Sequence, residues 1–426
     1  MGPRIYVNSW PELKRPTYLK APIPTIGAFL SGAKRDDGAE GLWRIHDGLY
    51  DLSGWIKTHP GGAQWLTVTK GTDITEAFEC HHISPRAESL LPQYFVRKAT
   101  TPRSSPYSFH KSGFYRTLKS EIWNTLGTKV HQFHPRTILY IDTLATLLLS
   151  TVVLAAVYNS TLMALVAGSI LTLLTIMAHN FFHRRDNWRM YYFQLSFLSV
   201  NDWRVSHALS HHLFTNTDKD LEMLLFYPWF DWFPHSRKSR VHVYLSPLYA
   251  PLIYPFIWLE QLLVRIFTKT LSPPDALCLM PPILMYICTS GSLTQVLFLW
   301  AIMMGWGSFL FAVIGVNAAH HHPDIFHQGD TPREDRDWGM NQIDAVRSRP
   351  DERNQFIVLT TFGEHTLHHL FPTIDHCFLH IAHEVFLRVC QQFNIKVETK
   401  TGLELLAGQI RQLSRTQPND RLKYMK

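Results

Sequence analysis

Three stretches decide how this chain is read: His179-Asn180-Phe181-Phe182-His183, His207-Ala208-Leu209-Ser210-His211-His212 and His365-Thr366-Leu367-His368-His369. Packing alone does not call for eight imidazoles in groups this tight. Imidazole is the commonest metal-binding side chain and suits iron, copper and zinc. A structural histidine bonded to one partner would explain any single member, but not three clusters. Spacings of three, four and five residues gather ligands round one side of a helix. The three groups therefore read as a polynuclear metal site, and long apolar stretches nearby place it beside a membrane.

Thr137 to Tyr158 contains one charge, Asp142. As a helix it would be about 33 Å long, enough to cross the hydrocarbon core. Asn159-Ser160 is a turn, and Thr161 to Ala178 is a second span ending at the first histidine group. Ala276 to Ser290 and Ser292 to Ala319 form a second pair around Gly291, the first member short and interrupted by Pro281-Pro282. Val243 to Phe267 is apolar but carries Pro247, Pro251, Pro255 and Glu260, and reads as interfacial or partly embedded. No Lys or Arg falls between Arg136 and Arg184, or between Lys269 and Arg333. By the positive-inside rule the flanks, all three histidine groups and both chain ends face the cytosol. The competing reading is two buried helical hairpins in a soluble protein.

Composition fits a membrane protein with a large aqueous part. The formal charge is +7, from 41 Lys+Arg against 34 Asp+Glu. That suits a solvated basic surface, or a face held near anionic lipid. No basic run with interleaved aromatics points to nucleic acid. The five cysteines, Cys80, Cys278, Cys288, Cys377 and Cys390, form no C-x-x-C pair and read as reduced thiols. The first residues lack an apolar core, so they are not a signal peptide. Residues 1–20 read as an irregular tail, 21–100 as a small domain of strands and short helices, and 101–135 as a linker continuing into a helix, Phe114 to Gly127. Residues 136–400 read as the membrane domain and 401–426 as a C-terminal tail.

The segment Trp55-Ile56-Lys57-Thr58-His59-Pro60-Gly61-Gly62 places an imidazole at a tight glycine turn, where backbone can approach a flat ligand. It is followed by Gly71-Thr72-Asp73 and by Phe78-Glu79-Cys80-His81-His82. Over roughly residues 40–98 this resembles the cytochrome b5 fold. The resemblance implies heme b, with His59 and His82 as axial ligands and His81 as the competing choice for the second. Two filled axial positions imply electron transfer rather than oxygen binding.

The pattern H-x3-H, H-x3-HH, H-x2-HH resembles the integral-membrane fatty acid desaturase superfamily, from about residue 136 to 385. Thr215-Asn216, Asp337-Trp338, Gln342 and the Leu370-Phe371-Pro372 that follows the third group share that likeness. With the N-terminal module, the whole chain resembles a desaturase-like group related to cytochrome b5. The resemblance implies a small α+β cytochrome b5-like heme domain followed by an all-α integral-membrane domain. That domain would have about four transmembrane helices in two hairpins, capped by histidine boxes in the cytosol. It implies two non-heme irons held by His179, His183, His207, His211, His212, His365, His368 and His369. In Asn317-Ala318-Ala319-His320-His321-His322, either His320 or His321 would be a further ligand, with His322 and His327 outside the set. The third box begins with His365, where desaturases with a b5 module often have Gln.

The implied activity is O2-dependent desaturation of a fatty acyl substrate, as acyl-CoA or acyl-lipid, in the endoplasmic reticulum membrane. No G-x-G-x-x-G follows a strand, so electrons would come from a separate NADH-cytochrome b5 reductase. Asp186, Asp202, Asp218, Asp220, Glu222 and Glu364 are candidates to orient the imidazoles. Trp188, Phe181, Phe182 and Phe226 are candidates to line an acyl tunnel. Alternatives are a fatty-acid or sphingolipid hydroxylase, and a membrane-anchored heme electron carrier with a vestigial iron site.

Overall fold

The computed structural model describes residues 8–21, 25–225, 227–289, 292–316, 320–349 and 354–420. Helix α1 (Ile26–Asp36) leads into a three-stranded antiparallel sheet, β1 (Trp43–Ile45), β2 (Gly48–Tyr50) and β3 (Phe95–Lys98), in the order β1-β2-β3. Trp43 pairs with Tyr50 in register and is wholly buried. Its indole N–H donates to Leu66 O at 3.1 Å and Thr69 Oγ1 at 3.2 Å. That bond holds helix α2 (Ala63–Thr69) over the sheet, and α3 (Thr75–His81) closes the same small core.

Helix α4 (Phe114–Leu126) joins this domain to the rest. The carboxylate of buried Glu79 on α3 accepts from Lys119 Nζ at 2.6 Å and also pairs with Arg116, both on α4. Tyr115, also on α4, donates its hydroxyl to Leu370 O at 3.0 Å, so one helix touches both halves of the molecule.

The remainder is predominantly helical. Helices α5 (Pro135–Val157) and α6 (Thr161–Phe182) form the first hairpin. Pro135 starts α5, where its missing N–H costs nothing, and His134 Nδ1 caps it by accepting from Arg136 N. A π-helical turn, α7 (Arg204–His211), follows, then a bent helix α8 (Ser246–Thr268), a short α9 (Met280–Ile287) and the long α10 (Leu293–Val316). Helices α6 and α10 cross closely at Gly168. A Cβ there would lie 2.5 Å from Met303 O, and Thr172 Oγ1 donates across to Gly307 O at 2.8 Å. Small residues that let helices approach, sealed by a hydroxyl bond, are a membrane packing solution. Helices α11 (His365–Leu370), α12 (Leu379–Gln392) and α13 (Gly402–Ser414) complete the chain.

Four helices are long and apolar enough to cross a membrane: Pro135–Val157, Thr161–Phe182, Ser246–Thr268 and Leu293–Gly315. The expected second pair, 276–290 with 292–319, is present in the fold, its first member too short to count among these four. The stretch expected at 276–290 is a 3-10 segment, Pro273–Leu279, and the two-turn α9, packed on α5 and α10. Pro273-Pro274 and Pro281-Pro282 each sit where a helix begins, because proline lacks the N–H that a helix interior requires. The stretch read as interfacial or partly embedded, Val243 to Phe267, holds the remaining long helix, α8, with Pro247 in its first turn, Pro251 inside it and a 3-10 turn at Tyr254–Phe256.

The described residues of the two segments read as tails are packed. Trp10 is buried against Tyr107 and Phe326, and Tyr18 against Phe29. Helix α13 begins with a Thr401/Glu404 capping box and packs on the segments Arg240–Tyr244 and Ser246–Ile253. The helix expected from Phe114 is α4. All five cysteines are free thiols.

Candidate metal centre and the cavity beside it

The histidine groups meet where α6 ends and beyond the corresponding end of α10. His179 and His183, four apart, present Nε2 atoms 2.9 Å from each other. In α7 the backbone N–H of His212 donates to His207 O, an i to i+5 bond that widens the turn. That turn points His207, His211 and His212 inward together, and π turns recur at functional sites for this reason. His207 Nε2 lies 2.8 Å from His179 Nε2 and 3.0 Å from His212 Nε2. His368, on α11, brings its Nε2 within 3.1 Å of His179.

Two sets result. The ligand atoms of His179, His183, His207, His212 and His368 all lie within 4.8 Å of one another, as do those of His211, His320 and His369. His365 adds its Nε2 2.6 Å from that of His320. His320 Nε2 is also 3.2 Å from His211 Nε2. His321 is not brought into either set. Its ring stacks on Trp232 with centroids 3.8 Å apart. His322 and His327 are buried rather than on the surface, His322 beside Arg411 and His327 beside Arg415.

Hydrogen bonding among the rings cannot satisfy this arrangement. A neutral imidazole nitrogen has one hydrogen or one lone pair, yet His179 Nε2 faces three others within 3.1 Å. The Nδ1 atoms of His183, His212, His365 and His368 are buried without a partner. Burial holds His183, His212, His320, His365, His368 and His369 well below the ordinary imidazole value, and neighbouring rings lower them further. They are therefore neutral donors, the state that binds a transition metal. An all-nitrogen donor set in two adjoining groups fits two such ions.

Two of the six candidate acids orient these rings. Asp220 accepts from His211 Nδ1 at 2.8 Å and Glu222 from His207 Nδ1 at 2.7 Å. Burial alone would lower His211, but Asp220 and Glu222 raise it to about 9. Burial alone would raise Glu222, but His211 and His207 hold it below the usual carboxylate range. Thr215 Oγ1 lies 3.2 Å from His369 Nδ1 and donates to Gln342 Oε1 at 2.9 Å. Asp186 pairs with Arg204, Asp202 faces Arg265 at 4.0 Å, and Glu364 meets His383. Asp218 accepts the Tyr18 hydroxyl through its backbone carbonyl.

Sequence reasoning missed His376, buried with Nδ1 2.8 Å from Asn180 Oδ1 and its ring 4.4 Å from that of His368. A lone histidine seven residues past the third group carried no signal. It missed Asp375 as well, whose carboxylate accepts from Thr137 Oγ1 at 2.7 Å and Asn180 Nδ2 at 3.2 Å, tying α5 to α6.

In the N-terminal domain the rings of His59 and His82 lie 6.1 Å apart, centroid to centroid. Their Nδ1 atoms are 3.0 Å from Gly62 O and Phe78 O, which leaves each Nε2 as a lone pair. That spacing suits one metal with ordinary imidazole bonds of about 2 Å on either side. A Cβ on Gly61 would stand 2.8 Å from the His59 ring, so the glycine makes room for it. His81 turns the other way, to Trp65, with centroids 5.6 Å apart.

Arg204 joins the two sites. It donates from Nε to Phe182 O at 3.1 Å and from Nη2 to Arg184 O at 3.3 Å, either side of His183. Its Nη1 reaches Gln64 Oε1 at 2.9 Å and Asp186 at 2.8 Å, and its guanidinium sits 5.0 Å from the centre of the Trp65 ring. A planar fork that bonds and stacks at once is what arginine supplies and lysine does not.

A cavity of about 580 Å³ opens beside the centre. His207, His211, His320 and His365 line one end, and Trp203, Met223, Leu224, Phe311 and Phe362 give it apolar walls. The aromatic residues expected along it are elsewhere. Phe181 stacks on Phe133, Phe182 packs beside His183, and Trp188 is mostly exposed beneath Arg189. Phe226 lies outside the described residues.

Comparison with known proteins agrees with this geometry. The family model described as Fatty acid desaturase matches residues 155–400, and that of the Cytochrome b5-like Heme/Steroid binding domain matches residues 31–100. A Drosophila melanogaster protein named Cytochrome b5-related protein is 42% identical over 417 residues, 96% of each chain. The Dictyostelium discoideum Acyl-lipid (8-3)-desaturase B is 24% identical over 425 residues, 84% of this chain and 87% of its own. A Brassica napus nitrate reductase [NADH] matches only the N-terminal part, 35% over 104 residues, 24% of this chain and 11% of its own. The chain is therefore a membrane protein of the fatty acid desaturase family with an N-terminal cytochrome b5-like domain.

Proposed function

We propose that the chain is an O2-dependent fatty acyl desaturase fed with electrons through its own b5 domain. The observation that carries this reading is nine imidazoles converging in two adjoining sets at the end of an apolar cavity. His179, His183, His207, His212 and His368 would hold one iron, and His211, His320, His365 and His369 the other. His59 and His82 would hold heme b. Bound iron would supply the oxidising chemistry that removes two hydrogens from an acyl chain, using one O2, two electrons and two protons to give two waters.

The chain's own side chains do the rest. Asp220 and Glu222 fix the tautomers of His211 and His207, so that Nε2 faces the metal. Trp203, Met223, Leu224 and Phe311 hold the chain and keep water away. Arg204 keeps the b5 domain against the centre. An NADH-cytochrome b5 reductase would reduce the heme, in the endoplasmic reticulum membrane with both sites on the cytosolic side. The absence of Lys and Arg between Arg136 and Arg184 supports that orientation.

The test is to purify the protein, measure heme and non-heme iron, and profile the lipids of cells that express it. Non-heme iron near twice the heme, with new double bonds, is the expected result. Products heavier by one oxygen would instead mark a hydroxylase. Lipids identical between wild type and His207→Ala would sink the enzymatic reading.

A further inference from the structure

The cavity that begins at the histidines ends in an opening. Among the described lining residues, only Gly27, Glu260, Thr268 and Thr270 are exposed. Glu260 and Thr268 lie on α8, and Thr270 follows it. Gly27 lies in the first turn of α1, where Thr25, Ile26 and Ala28 also line the wall. The opening therefore runs between two helices, and one of them comes from the N-terminal part of the chain. The Cytochrome b5-like match begins at residue 31, inside α1. One end of this helix thus stands in the cavity wall while the other enters the b5-like domain.

Helix α1 is held toward both ends. At its C-terminal end, buried Asp37 accepts from Asp73 N at 3.0 Å through its carboxylate and from Arg44 Nη1 at 3.4 Å through its carbonyl, both in the b5-like domain. Nearer its start, Phe29 packs on Tyr18 with ring centroids 5.3 Å apart. A Cβ on Gly32 would lie 2.8 Å from Tyr18 Cβ, so only glycine lets the two segments meet. Tyr18 in turn donates its hydroxyl to Asp218 O. The next residues include Asp220 and Glu222, which orient His211 and His207, and Leu221 and Met223, which line the cavity. At the opening itself, a Cβ on Gly27 would meet nothing nearer than Thr25 Oγ1 at 4.0 Å. The glycine leaves space there that a side chain would fill.

Resting on the acyl-oxidising reading above, we propose that α1 is the rim of the substrate entrance. The chain to be oxidised passes between the first turn of α1 and α8, with Gly27 and Thr268 setting the width of the passage. The b5-like domain, through this helix, therefore governs admission to the cavity.

The test uses the full-length protein, free of non-heme iron, in a steroid-based detergent that carries no alkyl chain. Cys288, the one native thiol that is not buried, is replaced by alanine throughout. Gly27→Cys, Ser31→Cys and Gly315→Cys are each labelled with N-ethylmaleimide, with and without octadecanol or octadecanoic acid. Ser31 is exposed on α1 away from the cavity lining, and Gly315 lines the cavity where a Cβ would meet Phe362 at 3.9 Å. Either chain should slow labelling of Gly27→Cys and Gly315→Cys about tenfold and leave Ser31→Cys unchanged. A reducible bis-methanethiosulfonate bridge between Gly27→Cys and Thr268→Cys should slow uptake of tritiated octadecanol about tenfold, and reduction should restore it. Heme absorbance should be the same in every variant. Protection of Gly315→Cys without Gly27→Cys, equal slowing at Ser31→Cys, or undiminished uptake across the bridge would each overturn the proposal and leave the desaturase reading in place. Protection at no position would overturn both. The expected protection with no new double bonds in cells would defeat the desaturase reading alone.

Discussion

The b5 domain and the histidine cluster both contain adjacent histidines, and they part them differently. In the b5 domain His82 turns to His59, while His81 turns away to Trp65. In the cluster His212 and His368 join one set, while their sequence neighbours His211 and His369 join the other. Successive helical residues point about 100° apart, so a doublet serves two places at once. Around His59 and His82 one metal would be closed on both faces, a site that passes electrons and nothing else. Around the cluster, His207, His211, His320 and His365 also border a cavity, so a bound ion there can meet a substrate.

Removing one ligand from either region should break the comparison most sharply. His207→Ala should reduce desaturation to background and lose non-heme iron while the heme spectrum stays unchanged. His82→Ala should do the reverse, losing heme absorbance and keeping iron. A variant that loses both cofactors would show that the two regions are not separate sites. His320→Ala against His321→Ala is a finer cut. The first should lower bound iron and the second should leave it intact, measured by metal analysis of the purified protein.

The supports matter less than the ligands. Asp220→Asn and Glu222→Gln should each weaken iron binding by about 10- to 100-fold, read by chelator competition. Trp65→Leu should keep both cofactors and slow reoxidation of reduced heme in stopped flow. An unchanged rate would mean that the Trp65 contact plays no part in the transfer. The smallest effect concerns pH. Burial holds His81 at about 4 and His82 at about 3, below the ordinary value of 6.5. Stability of the heme-free protein is then full above that value and falls as pH drops through it. Between pH 7.5 and 5.5 the loss should be about 1 kcal/mol per histidine, read from urea midpoints.

The boxes were legible because metal chemistry fixes residue type and spacing. Their division into two sets was not, because it depends on the π turn at His207–His212 and on α11 meeting α6 from far along the chain. His320 and His321 differ by one position, and the structure separates them by facing His320 to His211 and His365 and stacking His321 on Trp232. The first hairpin was legible from its apolar length. The second was legible as a pair, although its proline pairs make the first member a 3-10 segment and a two-turn helix, and α8 is the longer one. The cavity wall escaped notice because α1 and α8 lie far from the boxes in sequence.

Arg204 has a kinetic consequence. It bonds Gln64 in the b5 domain and the backbone around His183 in one buried cluster. On the proposed function the donor domain would have no encounter to wait for, and transfer out of a bound heme would be first order in the chain. Spreading the protein thinly through a membrane would leave that step unchanged. Only the refilling of the heme by a separate reductase would depend on how crowded the membrane is.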